Sequence, residues 1–442
     1  MEILLVVIFV FGYLAITIEH TLKVDKLIPA LAMMGLLWAV VALGKMPVFE
    51  INHQLKELEE GPLEGILLHH LGKTAEILIF LLGAMTIVEI TDYFNGFASI
   101  RAIISSNKKK TLLWVISSLA FILSAIIDNL TATIILITIL KKLLPERNDR
   151  LWFAGMIVIA ANAGGAWSPI GDVTTTMLWI GGKVTTAKLV TWLLLPSLVC
   201  MAVPLVIAGF LPAFRGEIKR PEGDEAGRKT NLPMLILGLG AIVFVPIFKV
   251  VTHLPPYIGM MFSLAVVAAV AEIMSNRRFT MADAVTDDAD SGHGGPVTRA
   301  LTRIELPSIF FFLGILMAVA ALESTGQLFH LATWLNTSIP NENVVVMLIG
   351  AGSAVIDNVP LVAASIGMFS QDVDAPLWHF IAYAAGTGGS MLIIGSAAGV
   401  VAMGMERINF IWYVKKIALL AMAGYLAGAF TFLGLAAIGY IR

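Results

Sequence analysis

Asp128-Asn129 and Asp357-Asn358 are acid-amide pairs in the middle of two long apolar stretches, 111–140 and 343–371, neither of which contains a Lys or Arg. A carboxylate in such surroundings is costly unless a bound cation or a proton offsets its charge. The neighbouring residues suit both. Asn129 and Asn358 offer amide oxygens, and Ser124, Thr131, Thr133, Ser353 and Ser390 offer hydroxyls, the mixed oxygen set that hard cations take. For the cation itself the leading ligands are Asp128, Asn129, Asp357 and Asn358. A cation and a proton competing for the same oxygens is antiport chemistry. Two plainer readings stand beside it: each Asp can cap the half-helix that follows, and each hydroxyl can bond a carbonyl of its own helix.

A second group lies in Asn162-Ala-Gly164-Gly165-Ala-Trp-Ser168-Pro169-Ile-Gly171-Asp172, continued by Thr174, Thr175 and Thr176. Its counterpart is Gly386-Thr-Gly388-Gly389-Ser390-Met-Leu-Ile-Ile-Gly395-Ser396. Paired glycines loosen a helix and proline removes a donor, so the first predicts a helix broken in mid-span and the second its relative. Asp172 aligns with Ser396, which breaks the likeness at a charge. Asp172, with Asn162 and Thr174, is therefore a further candidate as ligand or proton carrier. Glu76, Glu89 and Glu305 are candidates for a coupling or accessory role, with a snorkelling or interhelical contact the alternative for Glu76.

The elements that must position these residues follow from composition. The chain has 442 residues, 58% hydrophobic with 39 glycines besides, 14% charged, net charge −2 and mean hydropathy +0.87. Soluble proteins run at about 45–50% apolar and about 25% charged. A soluble enzyme, a disordered chain and a nucleic-acid binder are excluded; the composition is that of an all-α polytopic membrane protein. Cys200 is alone, so there is no internal disulfide. Residues 2–18 have no basic leader, which predicts a retained span. A crossing needs about 20 apolar residues, and ten spans are expected near 2–20, 26–48, 73–91, 151–181, 187–212, 231–252, 256–275, 304–322, 377–405 and 410–440. The stretches 111–140 and 343–371 are long for one crossing and short for two, and predict re-entrant hairpins.

Charge at the feet orients them. Lys108, Lys109 and Lys110 precede the first hairpin and Lys141, Lys142, Arg147 and Arg150 follow it, whereas no Lys or Arg occurs between Arg303 and Arg407. Basic residues favour the cytoplasmic side, so the first hairpin enters from inside and the second from outside. Arg215, Lys219, Arg220, Arg228, Lys229, Arg277, Arg278, Arg299 and Arg303 join the inner side, and the acidic segment 50–64 the outer. Ser124-Ala-Ile-Ile-Asp128-Asn129 matches Ser353-Ala-Val-Ile-Asp357-Asn358 at five of six positions. Phe80-Leu-Leu-Gly83 likewise matches Phe312-Leu-Gly314. Two homologous halves of opposite orientation make inverted-topology repeats, the common plan of secondary transporters. The expected divisions are 1–72, N-terminal spans and an outer amphipathic segment; 73–212, the first repeat; 213–303, connecting spans and a cytoplasmic loop with a disordered linker at 280–298; and 304–442, the second repeat.

At Ile127-Asp128-Asn129-Leu130-Thr131, at the run Ala161 to Thr176 and at Asp357-Asn358-Val359-Pro360-Leu361-Val362, the sequence resembles the NhaD-type sodium/proton antiporters of the ion transporter superfamily. The likeness extends from about residue 70 to the end. It implies exchange of Na+ or Li+ for H+ across a bacterial inner membrane, without a cofactor, and functional positions at Asp128, Asn129, Asn162, Asp172, Thr174, Ser353, Asp357 and Asn358. It also implies a homodimer in the bilayer, with a scaffold holding a mobile transport domain built of both hairpins and both broken helices. An anion carrier of the same fold, taking a dicarboxylate, citrate or arsenite, is the alternative; paired acids would repel such a substrate. An intramembrane aspartyl protease using Asp128 and Asp357 leaves the inverted repeat unexplained.

Overall fold

The computed structural model describes residues 1–17, 24–52, 57–104, 106–218, 231–278, 295–304, 306–339, 341–355 and 358–441. Asp357, Glu305, most of the 280–298 linker and Lys219, Arg220, Arg228 and Lys229 lie outside them. Among the described residues the chain is mostly helical, with one antiparallel pair of strands, β1 (Val48–Asn52) and β2 (Glu57–Gly61). Among the described residues seven helices are long and apolar enough to cross a membrane. They are α3 (Leu63–Tyr93), α4 (Lys109–Ile127), α8 (Thr186–Ala208), α9 (Leu232–Thr252), α10 (Pro256–Arg278), α12 (Leu306–Ser324) and α19 (Ala418–Ala437). The shorter α1 (Glu2–Thr17) and α2 (Leu27–Leu43) are apolar around their whole circumference, as helices between lipid and protein are; Ile3, Phe11 and Leu36 are exposed and Leu5, Met33 and Leu37 buried.

The interrupted stretches break where the sequence punctuates them. α4 ends at Ile127 and α5 (Asn129–Leu143) restarts at once, with Asp128 between them. In the second half α14 (Glu342–Gly352) and α15 (Asn358–Met368) flank the equivalent point. α6 (Arg147–Gly165) and α7 (Val173–Ile180) are the two parts of one broken helix, α16 (Pro376–Gly388) and α17 (Ala397–Glu406) of the other. Four features differ from the expected spans. The acidic segment 50–64 is partly a strand pair, where apolar Phe49 and Ile51 alternate with polar Glu50 and Asn52 along the sequence. α3 starts ten residues earlier than the span at 73, since His69, His70 and Lys73 lower hydropathy without opposing helix. The last stretch divides at Ile417 into α18 (Phe410–Lys416) and α19. A further helix, α13 (Gln327–Ser338), follows α12; α11 (Pro296–Leu301) precedes it.

The chain forms two compact units. One comprises Met1–Ala75, Ser106–Pro221 and Phe310–Arg442. Its centre is α6, where Ala154, Ile157, Val158, Ala160, Ala161 and Ala163 are all fully buried. Small side chains there let neighbouring backbones approach, the usual way membrane helices pack. α8 and α19 lie side by side, and a Cβ on Gly424 or Gly428 would fall on the Cys200 or Pro196 carbonyl of α8. The other unit comprises Glu76–Ser105 and Glu222–Ile309. In it Asn231 caps α9 at the Met234 N–H, Gly238 makes room for Thr91, and Ser263 donates to the Ala241 carbonyl at 2.8 Å.

Candidate functional site

Each broken helix is fixed to the first helix of its neighbouring pair by the same contacts. Ser124 Oγ donates to the Ala161 carbonyl, and Ser353 Oγ to the Ala385 carbonyl at 3.0 Å. A Cβ on Gly164 would fall on the Phe121 carbonyl, and one on Gly388 on the Gly350 carbonyl. Gly171 lies against Ser124 and Ala125, Gly395 against Ser353 and Ala354. The glycines of both motifs are there because backbone meets backbone, which no side chain permits. The repeat read from the sequence is thus a repeat of packing.

The polar residues then meet across the repeats. Asn358 Nδ2 donates to Asp172 Oδ2 at 2.9 Å, a contact 186 positions apart in the chain. Thr174 Oγ1 donates to the same oxygen at 2.9 Å. On the other side, Asn162 joins two groups: its Oδ1 accepts from Asn129 Nδ2 at 3.1 Å and its Nδ2 donates to Ser396 Oγ at 2.9 Å. All six residues are at most 4% exposed. By the repeat, Asn129 should reach Ser396 as Asn358 reaches Asp172. Serine is too short for that, and the Asn162 amide spans the gap. Its counterpart Gly386 has no side chain, and a Cβ there would lie 3.5 Å from Asp172 Oδ2.

Asp128 and Asp172 behave differently. Asp128 caps α5, accepting from Thr131 N at 2.7 Å and Thr131 Oγ1 at 2.9 Å. Its φ of 106° and ψ of 159° fall in a region that only glycine enters freely, a cost of about 1–3 kcal/mol that persists where surrounding structure imposes it. Asp172 occupies the N-cap position of α7 without capping it. The break is instead stitched by the threonines after it, Thr175 Oγ1 bonding the Asp172 carbonyl at 2.9 Å and Thr176 Oγ1 the Pro169 carbonyl at 3.0 Å.

The remaining candidates fall in several places. Ser390 Oγ donates to the Thr387 carbonyl, and its own carbonyl accepts from Tyr413. Thr133 is fully buried with no hydrogen-bond partner. Glu76 and Glu89 are half-buried on α3. Among the described residues no group of three or more His, Cys, Asp or Glu is placed to hold a metal ion. Sequence reasoning passed over two residues at the edges of this region. Ser396 was noted only as the partner of Asp172 in the alignment, yet it bonds Asn162. Lys183, in the turn after α7, is 9% exposed with its ammonium 4.9 Å from the Trp378 ring. Burial lowers its pKa, Lys73 adds to that, and Glu323 opposes it.

The chain as a whole is similar to known proteins. A family model described as citrate transporter matches residues 13–378. The chain is 41% identical to sodium/proton antiporter 1 of Arabidopsis thaliana, over 98% of this chain and 72% of that protein. It is 32% identical to Na(+)/H(+) antiporter NhaD of Vibrio cholerae, over 92% and 86%, and 31% identical to NhaD of Alkalimonas amylolytica, over 96% and 88%. Among solved structures, the YdaH transporter of Alcanivorax borkumensis, described as having an unusual topology, superposes with a TM-score of 0.58 at 12% identity, over 94% of this chain and 99% of that one. That likeness concerns the fold alone.

Proposed function

Since the chain belongs to the citrate-transporter family and, within it, groups with the NhaD sodium/proton antiporters, it is a multi-pass membrane transporter and not an enzyme, and we propose that it exchanges Na+ for H+. The observation that carries this reading is Asp172, 3% exposed, at an N-cap position it does not use, with Asn358 and Thr174 on one of its oxygens. Carboxylate, amide and hydroxyl oxygens are what a hard monovalent ion needs. No Lys or Arg occurs in 151–182 or between Arg303 and Arg407, and in this reading the ion and the proton alternate on the carboxylate. Asp128, Asn129, Asp357, Asn358, Asn162 and Thr174 complete the site in this reading, and Ser124, Ser353, Thr131 and Ser390 hold its backbone. Glu76, Glu89 and Glu305 are accessory.

The finer parts of the proposal are these. Li+ is accepted with Na+, since both are small and hard. The stretches 111–140 and 343–371 are re-entrant hairpins of inverted repeats, and together with the broken helices they form a transport domain. It moves as a body against α2, α3 and their second-half counterparts, in an elevator-like alternation of access. The protein works as a homodimer in a bacterial inner membrane. With two protons returned per Na+, each net charge moved is worth about 2.3 kcal/mol per 100 mV.

The description of the matched family favours one other reading, an anion carrier for citrate or a similar acid. Carboxylates at the break repel such a substrate. Everted vesicles energised by respiration separate the two. Addition of Na+ or Li+ is expected to collapse the proton gradient in vesicles carrying the parent chain; citrate uptake with no response to either cation would overturn the proposal.

A further inference from the structure

Away from the ion site, α5, α6 and α17 converge on a second polar feature. A cavity of about 410 Å³ is lined by Lys141, Arg147, Arg150, Met405, Glu406 and Arg407. Its walls come from the end of one apolar pair, the start of one broken helix and the end of the other. The one acid among them is already engaged: Arg150 Nε lies 3.2 and 3.0 Å from the two Glu406 oxygens. Arg150 Nη1 is engaged as well, with the Leu144 and Pro145 carbonyls at 3.0 and 2.8 Å. Asp149, the acid in the first turn of α6, is bonded to Lys109 at 2.7 Å. Arg147 gives one donor to the Arg407 carbonyl at 3.0 Å and keeps the rest of its fork. Lys141, Arg147 and Arg407 are exposed at the rim, so the cavity carries three positive charges that no carboxylate in it offsets.

Arg407 adds a second, independent observation. It ends α17 at φ 51°, ψ 49°, a left-handed conformation that Gly and Asn adopt far more readily. A long cation at a position suited to glycine is a local compromise, of the kind found where a site needs the side chain. Here it sets the Arg407 carbonyl on Arg147 and brings a third cation to the rim.

We propose that this cavity binds the phosphate group of an anionic molecule, through Lys141, Arg147 and Arg407. Guanidinium forks match phosphate oxygens in pairs, and lysine adds a point charge. Two sources share that chemistry: the headgroup of an anionic lipid, which basic pockets between membrane helices take, and free phosphate. An anion bound here joins elements of both repeats at their shared edge, so occupancy stabilises the folded chain.

The test uses the full-length purified chain, its thermal unfolding followed by intrinsic fluorescence. One arm compares phosphatidylcholine nanodiscs with and without phosphatidylglycerol; another adds sodium phosphate or sodium chloride at equal sodium concentration and ionic strength. The expected result is a rise in Tm with phosphatidylglycerol or with phosphate beyond that with chloride, and a response at least tenfold weaker in dose for K141Q/R147Q/R407Q. A response to phosphatidylglycerol alone assigns the site to lipid, and a response to phosphate in both nanodisc types assigns it to the free ion. R147K/R407K keeps the charge without the forks and is expected to retain part of the response, and a Tm of K141Q/R147Q/R407Q equal to the parent's in phosphatidylcholine and chloride shows that this variant lost binding and not its fold. No Tm difference between chloride and either phosphate source, or an unchanged response in K141Q/R147Q/R407Q, would overturn the proposal.

Discussion

Asp172 and Ser396 open equivalent half-helices on nearly the same backbone, φ −148°, ψ 150° and φ −147°, ψ 153°, and their side chains act differently. Ser396 caps its helix, accepting from Gly399 N at 3.2 Å, and meets the rest of the site through Asn162. Asp172 leaves its helix uncapped and meets Asn358 directly. The scaffold around the two is otherwise alike, down to the serine that bonds each broken helix and the glycines that admit its neighbour. The two broken helices are thus alike in how they pack, and they differ in the residue that opens the second half-helix. One half has a capping residue with a bridging amide, and the other a carboxylate that bonds Asn358 and Thr174 and does not cap its helix.

The largest expected effect tests that division. Asp172→Asn keeps the shape and an acceptor for Thr174 while removing the charge. Na+-driven proton movement in everted vesicles should fall at least ~100-fold, the ~3 kcal/mol of losing a buried ion's charged partner. Its unfolding midpoint should stay within a few degrees of the parent's. Next are Gly164→Ala and Gly388→Ala, which press a methyl into a facing backbone in each half. Each should cost about 1–3 kcal/mol, and the two values should agree to within ~1 kcal/mol by denaturant titration; a large inequality would break the packing equivalence. Asn162→Ala leaves the buried Asn129 amide without its acceptor and Ser396 without its donor, at about 1–3 kcal/mol. The smallest effect sharpens the contrast between the caps. Ser396→Ala should cost at least about 1 kcal/mol of stability by denaturant titration, and because position 172 has nearly the same backbone, Asp172→Ser should gain the cap that Asp172 lacks and be more stable than Asp172→Ala by a similar amount.

Much of this was legible in the sequence because punctuation in an apolar run has few meanings. Asp128 and Ser168-Pro169 stand where no lipid-facing helix would carry them, and the breaks occur there. The recurrence of Ser-Ala-X-Ile-Asp-Asn pointed to two related halves, and the same serine-to-backbone bond is found at both. Less legible was anything that depends on partners far apart in the chain. Asp172 and Asn358 are 186 positions apart, and Asn162 and Ser396 are 234, so neither the direct bond nor the amide bridge leaves a local pattern. The Asn162–Gly386 mismatch was the one available signal, since an amide opposite a glycine in an otherwise matched motif asks what it fills. The charge argument placed Arg150 at the inner face, yet Glu406 as its partner needed the fold. The strand pair near 48–61 was visible as alternation and was obscured by reading that segment only for charge.

The claim at the centre of the account is that Na+ and H+ compete for the oxygens around Asp172. Purified chain in weakly buffered detergent solution, titrated with sodium salt against a choline control, reports this through a pH electrode. The account predicts that Na+ releases protons from the parent and that Asp172→Asn, with its fold intact, releases far fewer. Sodium binding without proton release, or equal release from Asp172→Asn, would contradict it.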